Sequence, residues 1–165
     1  ISACNALDKV LIDDQLPDKE HFIKALISAL VANRVSVLVG NGFSGYLNTS
    51  LIENEEVWSE EFLDYKIVLG LVSGPEDAMK MIKKYGGGHS PAILTENNAV
   101  ADVFMEGVDA AAVYRNASTR FTDGFQFGLG GELAISTDKL HQRGPIGLTH
   151  LVTNKWYVYG EGQIR

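Results

Sequence analysis

Apolar patterning that alternates between extended and helical periods is the feature that most constrains how this chain can fold. Val35–Val39 and Lys66–Val72 are short apolar runs typical of buried strands. Residues 18–33 and 98–107 carry the spacing of amphipathic helices. Strands separated by helices need crossover connections, which place neighbouring strands parallel. The pattern therefore predicts an α/β fold with a largely parallel sheet flanked by helices.

The remaining elements are predicted with the same signals. Further strands are expected at Ala92–Thr95 and Ala111–Tyr114, and a loop is expected at Asn41–Asn54. A capping box formed by Ser73 and Glu76 predicts a helix that runs to about Tyr85 and is ended by the glycines at 86–88. In the helix over residues 18–33, the expected buried face comprises Phe22, Ile23, Leu26, Ile27 and Leu30.

The two ends of the chain are less regular. Residues 3–13 place Ala6, Leu7, Val10 and Leu11 on one helical stripe, with Ser2 as the N-cap. The segment Asn116–Glu132 is polar and glycine-rich, and a structureless stretch of that length inside a domain is usually functional. Residues 149–159 alternate again and predict an edge strand.

Length and charge restrict the classes of function. A chain of 165 residues suits one domain with its own core. The net charge of -7 argues against general binding to nucleic acid or to an anionic membrane. No apolar run approaches the ~20 residues of a membrane span. The single cysteine rules out an internal disulfide and fits a reducing, cytoplasmic setting.

Cys4 is the candidate nucleophile. It lies two residues after the expected N-cap Ser2, where a helix dipole and free backbone N–H groups favour the thiolate form. The same N–H groups can hold an oxyanion. The alternative is that Cys4 is a small buried apolar residue. Spacing alone does not separate the two interpretations.

Several segments together resemble one enzyme family. Ser2–Asp8, which contains Cys4, resembles the catalytic-cysteine segment of γ-glutamyl phosphate reductases, members of the aldehyde dehydrogenase superfamily. Further similar segments occur in the family's order: Trp58–Asp64, Tyr85–Ser90, Asn116–Gly124, Phe127–Glu132 and His141–Pro145. Gly87 and Gln142 stand where family members often carry serine and alanine, and the stretch 13–56 shows little similarity.

The resemblance implies a reaction and a domain plan. It implies NADPH-dependent reduction of L-glutamyl 5-phosphate to glutamate 5-semialdehyde and phosphate, a step in proline biosynthesis, through a thioester on Cys4. Residues 1–148 are then the aldehyde-dehydrogenase-like catalytic domain, and 149–165 a C-terminal strand segment that serves homo-oligomerisation. The family's cofactor-binding domain lies mainly before the cysteine. Nothing precedes Ile1, so we expect this chain to be inactive alone. A functional association with glutamate 5-kinase is also expected.

The resemblance also implies substrate-binding residues. Arg120, beside Ser118 and Thr119, can form a bidentate contact with phosphate or carboxylate. Its alternative role is to pair with Asp123 and stiffen the loop. Asn116 either contacts substrate or orients the loop, and Asp123 is a candidate acceptor for the substrate α-amino group.

Three further residues have two open interpretations each. His89, after the glycines, lies either at the edge of the substrate pocket or simply at a helix C-terminus. Arg143 either contacts substrate or holds the C-terminal segment. Glu61 corresponds to the superfamily's cofactor-ribose glutamate, or it is a solvated acid in a run with Glu55, Glu56 and Glu60.

Other patterns carry less weight. Gly40–Gly45 fits G-x-G-x-x-G after a strand, but the next residues are a poor helix start, so we interpret it as a turn and not a dinucleotide site. The scattered histidines support no metal site. Two other functions stay open: a non-catalytic binding or scaffold domain of the same fold, and a thiol hydrolase with His89 or His141 as base.

Overall fold

A parallel four-stranded sheet forms the centre of the structure, a computed structural model that describes residues 1–43, 45–46 and 48–165. Its strands are β1 (Lys9–Asp13), β2 (Ser36–Val39), β3 (Thr49–Leu51) and β4 (Lys66–Val72). They lie in the order β1-β4-β2-β3, and every neighbouring pair is parallel. The predicted α/β class with a largely parallel sheet is confirmed.

Two of the helices predicted from the sequence come between or after these strands along the chain. They are α1 (Lys19–Ala32) and α2 (Pro75–Tyr85). Of the expected inner face of α1, Ile23 and Ile27 are buried, whereas Phe22 is 45% exposed, so its predicted burial is wrong. The α2 helix ends as predicted, but the prediction of a capping box at its start is wrong. Both the N–H and the hydroxyl of Ser73 donate to Asp77, one residue beyond Glu76.

The core lies where α1 covers the sheet. It combines α1 with residues of β1, β2, β4 and the turn at Phe43: Ile12, Ile23, Ile27, Val37, Val39, Phe43, Ile67 and Leu69. Val68 and Leu69 in β4 are fully buried, because a central parallel strand is covered on both faces. Each such side chain contributes about 1.5–3 kcal/mol through burial.

A second unit comes after α2 along the chain. It holds β5 (Ala92–Ile93), α3 (Asn98–Gly107) and β6 (Tyr114–Arg115), with β5 and β6 parallel. The helix is confirmed over its predicted range, whereas β5 is shorter than predicted and β6 begins at Tyr114 instead of Ala111. An antiparallel pair, β7 (Ala134–Ser136) and β8 (Gly144–Ile146), comes last.

The structure corrects three of the expected elements. Residues 3–13 form a turn and then β1, because the run Val10–Ile12 pairs with β4 along its backbone. The expected loop 41–54 contains β3, a short edge strand paired with β2. Residues 152–160 are exposed and have no strand partner within the described chain. A lone strand cannot satisfy its backbone groups, so the predicted edge strand does not form here.

Candidate active site

Cys4 lies in a tight turn and not at a helix start. The N–H of Ala6 donates to the carbonyl of Ala3 at 2.8 Å, which closes the turn around the cysteine. The predicted helix over 3–13 is absent, so no dipole of such a helix acts on the thiol. Cys4 is exposed, which argues against the alternative of a buried apolar residue.

The Cys4 turn forms one side of a cleft of about 360 Å³. Residues of the segments 59–64 and 85–89 also line this cleft, and they include Glu61 and His89. Three of the predicted site residues, Cys4, Glu61 and His89, therefore share one cavity. The cleft is also lined by three further acidic residues, Asp8, Glu60 and Asp64, and by Lys9.

Asn5 ties the Cys4 turn to the polar loop that the sequence singled out. Its backbone carbonyl accepts a hydrogen bond from the hydroxyl of Thr119 at 2.7 Å. Its side-chain Oδ1 accepts from the guanidinium of Arg120. Arg120 and Thr119 are thus bound to the residue that follows the cysteine, although neither is among the residues that line the cleft with Cys4. Ser118 supports this turn by accepting from the Arg120 N–H at 3.2 Å.

Thr122 is the buried centre of this region. Its backbone carbonyl accepts from Asn5 Nδ2 at 2.7 Å. Its hydroxyl oxygen lies 2.6 Å from Ser90 Oγ and 2.7 Å from the hydroxyl of Tyr114. These contacts join the Cys4 turn, the segment after the glycine triplet and β6 into one hydrogen-bonded network. The sequence singles out none of these four residues as a site residue, because no periodicity marks buried polar residues in irregular segments.

His89 also belongs to this network. Its Nδ1 lies 2.6 Å from Ser90 Oγ. Its Nε2 is buried and, among the described residues, has no hydrogen-bond partner. Burial lowers the pKa of His89 below its usual value, against the opposing effect of Glu61 and Glu132. The neutral imidazole is therefore favoured, with one ring nitrogen left for a ligand or a water.

Asn116 and Asp123 use their side chains within the loop. Asn116 Oδ1 accepts from the Thr95 N–H at 2.8 Å, and its Nδ2 donates to the Thr95 carbonyl at 3.0 Å. This geometry supports the loop-orienting alternative. Asp123 Oδ1 accepts from two backbone N–H groups, those of Phe125 and Gln126. Within residues 1–43, 45–46 and 48–165, no ion pair joins Arg120 to Asp123, so the pairing suggested for them is wrong.

Arg143 belongs to a different cluster. Its Nη1 lies 2.5 Å from Asp109 Oδ1, and its Nη2 donates to the Asp109 carbonyl at 3.2 Å. Lys139 pairs with the same carboxylate. The hydrogen bonds from Arg143 and then Lys139 lower the pKa of Asp109 to about 2. The structure favours the alternative in which Arg143 holds the C-terminal segment.

The acidic residues of the run around Glu61, which are Glu55, Glu56, Glu60 and Glu61, are all exposed. Glu55 lies 3.3 Å from Lys84 Nζ and 3.0 Å from the hydroxyl of Tyr85, and these hydrogen bonds, led by that of Tyr85, lower its pKa. Glu60 lies 3.8 Å from Lys66 Nζ. Glu61 instead lines the cleft with Cys4. Its position is compatible with binding hydroxyl groups of a ligand.

The described residues of the glycine pattern at 40–45 lie in a turn, as predicted. Residues Asn41 and Gly42 are in a turn and no helix opens after them, while Ser44 of this pattern lies outside the described residues. In the described part of the chain, no group of three or more His, Cys, Asp or Glu side chains is arranged to hold a metal ion. The described helices include none that is long and apolar enough to cross a bilayer.

Comparison with known proteins shows which enzymes the chain is similar to. No family model matches the chain. A γ-glutamyl phosphate reductase of Clostridium beijerinckii is 47% identical over 164 residues, which is 99% of this chain and 39% of the relative. The enzyme of the same name from Shouchella clausii is 47% identical over 165 residues, again 39% of its length. The chain is homologous to part of γ-glutamyl phosphate reductase. It spans 39% of the length of these curated relatives.

Solved structures agree with the sequence comparison. The γ-glutamyl phosphate reductase of Thermotoga maritima matches 99% of the chain with a TM-score of 0.90 and 41% identity, and the match covers 39% of that enzyme. An acetylating aldehyde dehydrogenase from Geobacillus thermoglucosidasius matches 99% of the chain and 45% of its own with a TM-score of 0.65. At 17% identity this second likeness shows the fold alone. The aldehyde-dehydrogenase-like fold expected from the resemblance is confirmed.

Proposed function

We propose that this chain supplies the nucleophile and the anion-binding loop for the NADPH-dependent reduction of L-glutamyl 5-phosphate to L-glutamate 5-semialdehyde. The observation that carries the proposal is that the exposed Cys4 is followed directly by Asn5, which binds Thr119 and Arg120 of the polar loop. The homology to γ-glutamyl phosphate reductases supports the choice of reaction.

The chemistry is that of a thiolate beside an anion site. The Cys4 thiolate attacks the acyl phosphate carbonyl, the C–O bond to phosphate breaks, and phosphate leaves with the electron pair. The product is a thioester on Cys4, which remains electrophilic at the same carbon. After reduction of that carbon, the hemithioacetal on Cys4 collapses, which releases the aldehyde and regenerates the thiolate.

Arg120 has the chemistry to hold the substrate during these steps. Its guanidinium offers several N–H donors in one plane, which match phosphate or carboxylate oxygens. Since the cleft lining carries more acids than lysines, an anionic substrate needs this nearby positive charge. We expect Asn116 and Asp123 to act on the substrate through the shape of the loop. A direct contact of either with the substrate, or of Arg143, stays a prediction.

Glu61 is the residue of this chain that fits a nicotinamide cofactor. Its carboxylate lines the same cleft as Cys4 and can accept hydrogen bonds from two ribose hydroxyl groups. NADPH, when bound, supplies the hydride. Because the chain spans 39% of the length of its curated relatives, we propose that the remaining cofactor contacts come from other parts of the full-length protein. We therefore expect the isolated chain to show no NADPH turnover. We expect the full-length protein to be active and to lie in the cytoplasm.

The C-terminal segment is the part of the chain that we propose for assembly. The exposed segment 155–159 carries apolar side chains, with Trp156 84% and Val158 89% exposed. We propose that this segment pairs with another copy in a homo-oligomer, because an unpaired extended segment is satisfied by an added strand. A functional association with glutamate 5-kinase would protect the labile acyl phosphate.

The test is phosphate-dependent oxidation of glutamate 5-semialdehyde by the full-length protein with NADP. We expect activity that requires phosphate and is lost in Cys4→Ala. A thiol hydrolase would not oxidise the aldehyde, but it would release glutamate from L-glutamyl 5-phosphate without a cofactor. A scaffold domain would do neither. Cys4→Ala with unchanged activity contradicts the assignment of the nucleophile. Turnover by the isolated chain contradicts the placement of the cofactor site outside it.

A further inference from the structure

We propose that Asn5 is the positioning residue that orients the Arg120 guanidinium against the Cys4 turn and keeps its charge free for an anionic substrate group. This inference rests on the proposed function and names a residue that acts through Arg120. Asn5 is only 7% exposed and, within the described ranges, is one of two buried polar or charged residues, the other being Thr122. A buried amide at this place needs an explanation, because removing polar groups from water costs free energy unless each group finds a partner.

The contacts of Asn5 fix its amide in one orientation. Nδ2 donates to the Thr122 carbonyl at 2.7 Å, and Oδ1 accepts from Arg120. Exchanging the two ends would turn Oδ1 toward a carbonyl oxygen and Nδ2 toward a guanidinium N–H. Both contacts would then be repulsive, so one rotamer state is strongly preferred. Arg120 is consequently held at a defined place relative to the Cys4 turn.

The neutrality of the amide determines what Arg120 can bind. Among the ion pairs of the described residues, none involves Arg120. A carboxylate in place of the Asn5 amide would neutralise the guanidinium, whereas the amide oxygen takes one N–H donor and leaves the charge. The other N–H donors stay available for a phosphate or carboxylate. Asn5 thus couples the position of the cation to that of the adjacent nucleophile.

Two measurements on the full-length protein read this role separately from catalysis. The first is the ratio of Cys4 alkylation rates with anionic iodoacetate and neutral iodoacetamide, measured on the Cys4 peptide by mass spectrometry. A cation near the thiol raises this ratio. The second measurement determines whether a loss of activity comes from a higher KM for the anionic substrate or from a lower kcat. The variants are Asn5→Ala, Asn5→Asp and Arg120→Ala, with Asn33→Ala as the matched control, since Asn33 is an exposed asparagine at the end of α1.

The double variant decides between positioning and general destabilisation. We expect Asn5→Ala and Asn5→Asp each to lower the alkylation ratio and raise KM by about tenfold. Asn5→Ala added to Arg120→Ala should change the ratio no further, since both act through one group. Effects that multiply in the double variant, or a ratio unchanged in folded Asn5 variants, overturn the inference. In that case an active wild type, with activity lost in Cys4→Ala, leaves the proposed function intact.

Discussion

The hydroxyl oxygens of Thr122 and Ser90 lie 2.6 Å apart, although they come from opposite ends of the second unit of the fold. Tyr114 approaches the same Thr122 oxygen to 2.7 Å. Thr122 is fully buried, with 0% exposure, so no water replaces a lost partner. The link between Ser90 and Tyr114 in this network therefore depends on one hydroxyl group.

Replacing Thr122 with valine tests that dependence. The change keeps the shape but removes the shared hydroxyl, which leaves Ser90 and Tyr114 each without that hydrogen-bond partner. We expect Thr122→Val to lower the free energy of unfolding by about 1–3 kcal/mol. Urea denaturation measures the change, with the exposed Thr153→Val as control. A Thr122→Val protein as stable as wild type contradicts this description of the network.

Gly70 tests the packing of the central strand. A Cβ built at this position would lie 2.6 Å from Trp58 Cη2 and 3.2 Å from Leu11 Cδ2. Because Trp58 is buried, it cannot move aside without disturbing the sheet. We expect Gly70→Ala to lower the free energy of unfolding by about 1–3 kcal/mol. Gly131→Ala, whose Cβ meets nothing within 4 Å, is the control, and equal stability of the two variants argues against the packing described.

The lowered pKa of His89 predicts how the free energy of unfolding changes with pH. Since burial lowers its pKa in the folded protein, the unfolded chain binds more protons once the pH falls below the ordinary value of 6.5. Stability is therefore lost as the pH falls through that value toward the lower folded pKa, and it rises with pH over the same window. Urea unfolding between about pH 5 and pH 7.5 measures this slope. We expect the slope to be smaller in His89→Gln. An unchanged slope indicates that His89 titrates as it does in the unfolded chain.

Much of the sheet was predictable because its strands carry continuous apolar runs. Val35–Val39 and Lys66–Val72 contain the buried strands β2 and β4, and that burial is visible in sequence. The segment 3–13 was not predictable, because its spacing fits a helix and only pairing with β4 decides for a strand. Local propensity is a weak signal where a neighbouring backbone supplies hydrogen bonds.

The site was predictable only where its residues stand in motifs. Cys4, Glu61 and His89 share a cleft, as their assignment to one active site requires. Asn5 and Thr122 could not be identified, because their importance comes from burial and from contacts across more than a hundred residues of chain. The role suggested for the Arg120–Asp123 pair failed for a related reason: Asp123 satisfies nearby backbone N–H groups first.

Cys4 forms the covalent intermediate in the proposed reaction, and one experiment tests this role most directly. Full-length protein is mixed with glutamate 5-semialdehyde and NADP in the absence of phosphate. The thiolate adds to the aldehyde, the hydride passes to NADP, and the thioester on Cys4 waits for phosphate. We predict a rapid burst of about one NADPH per Cys4, with a glutamyl adduct on the Cys4 peptide, and a return to turnover when phosphate is added. The absence of both burst and adduct, or a burst that persists in Cys4→Ala, would contradict this role.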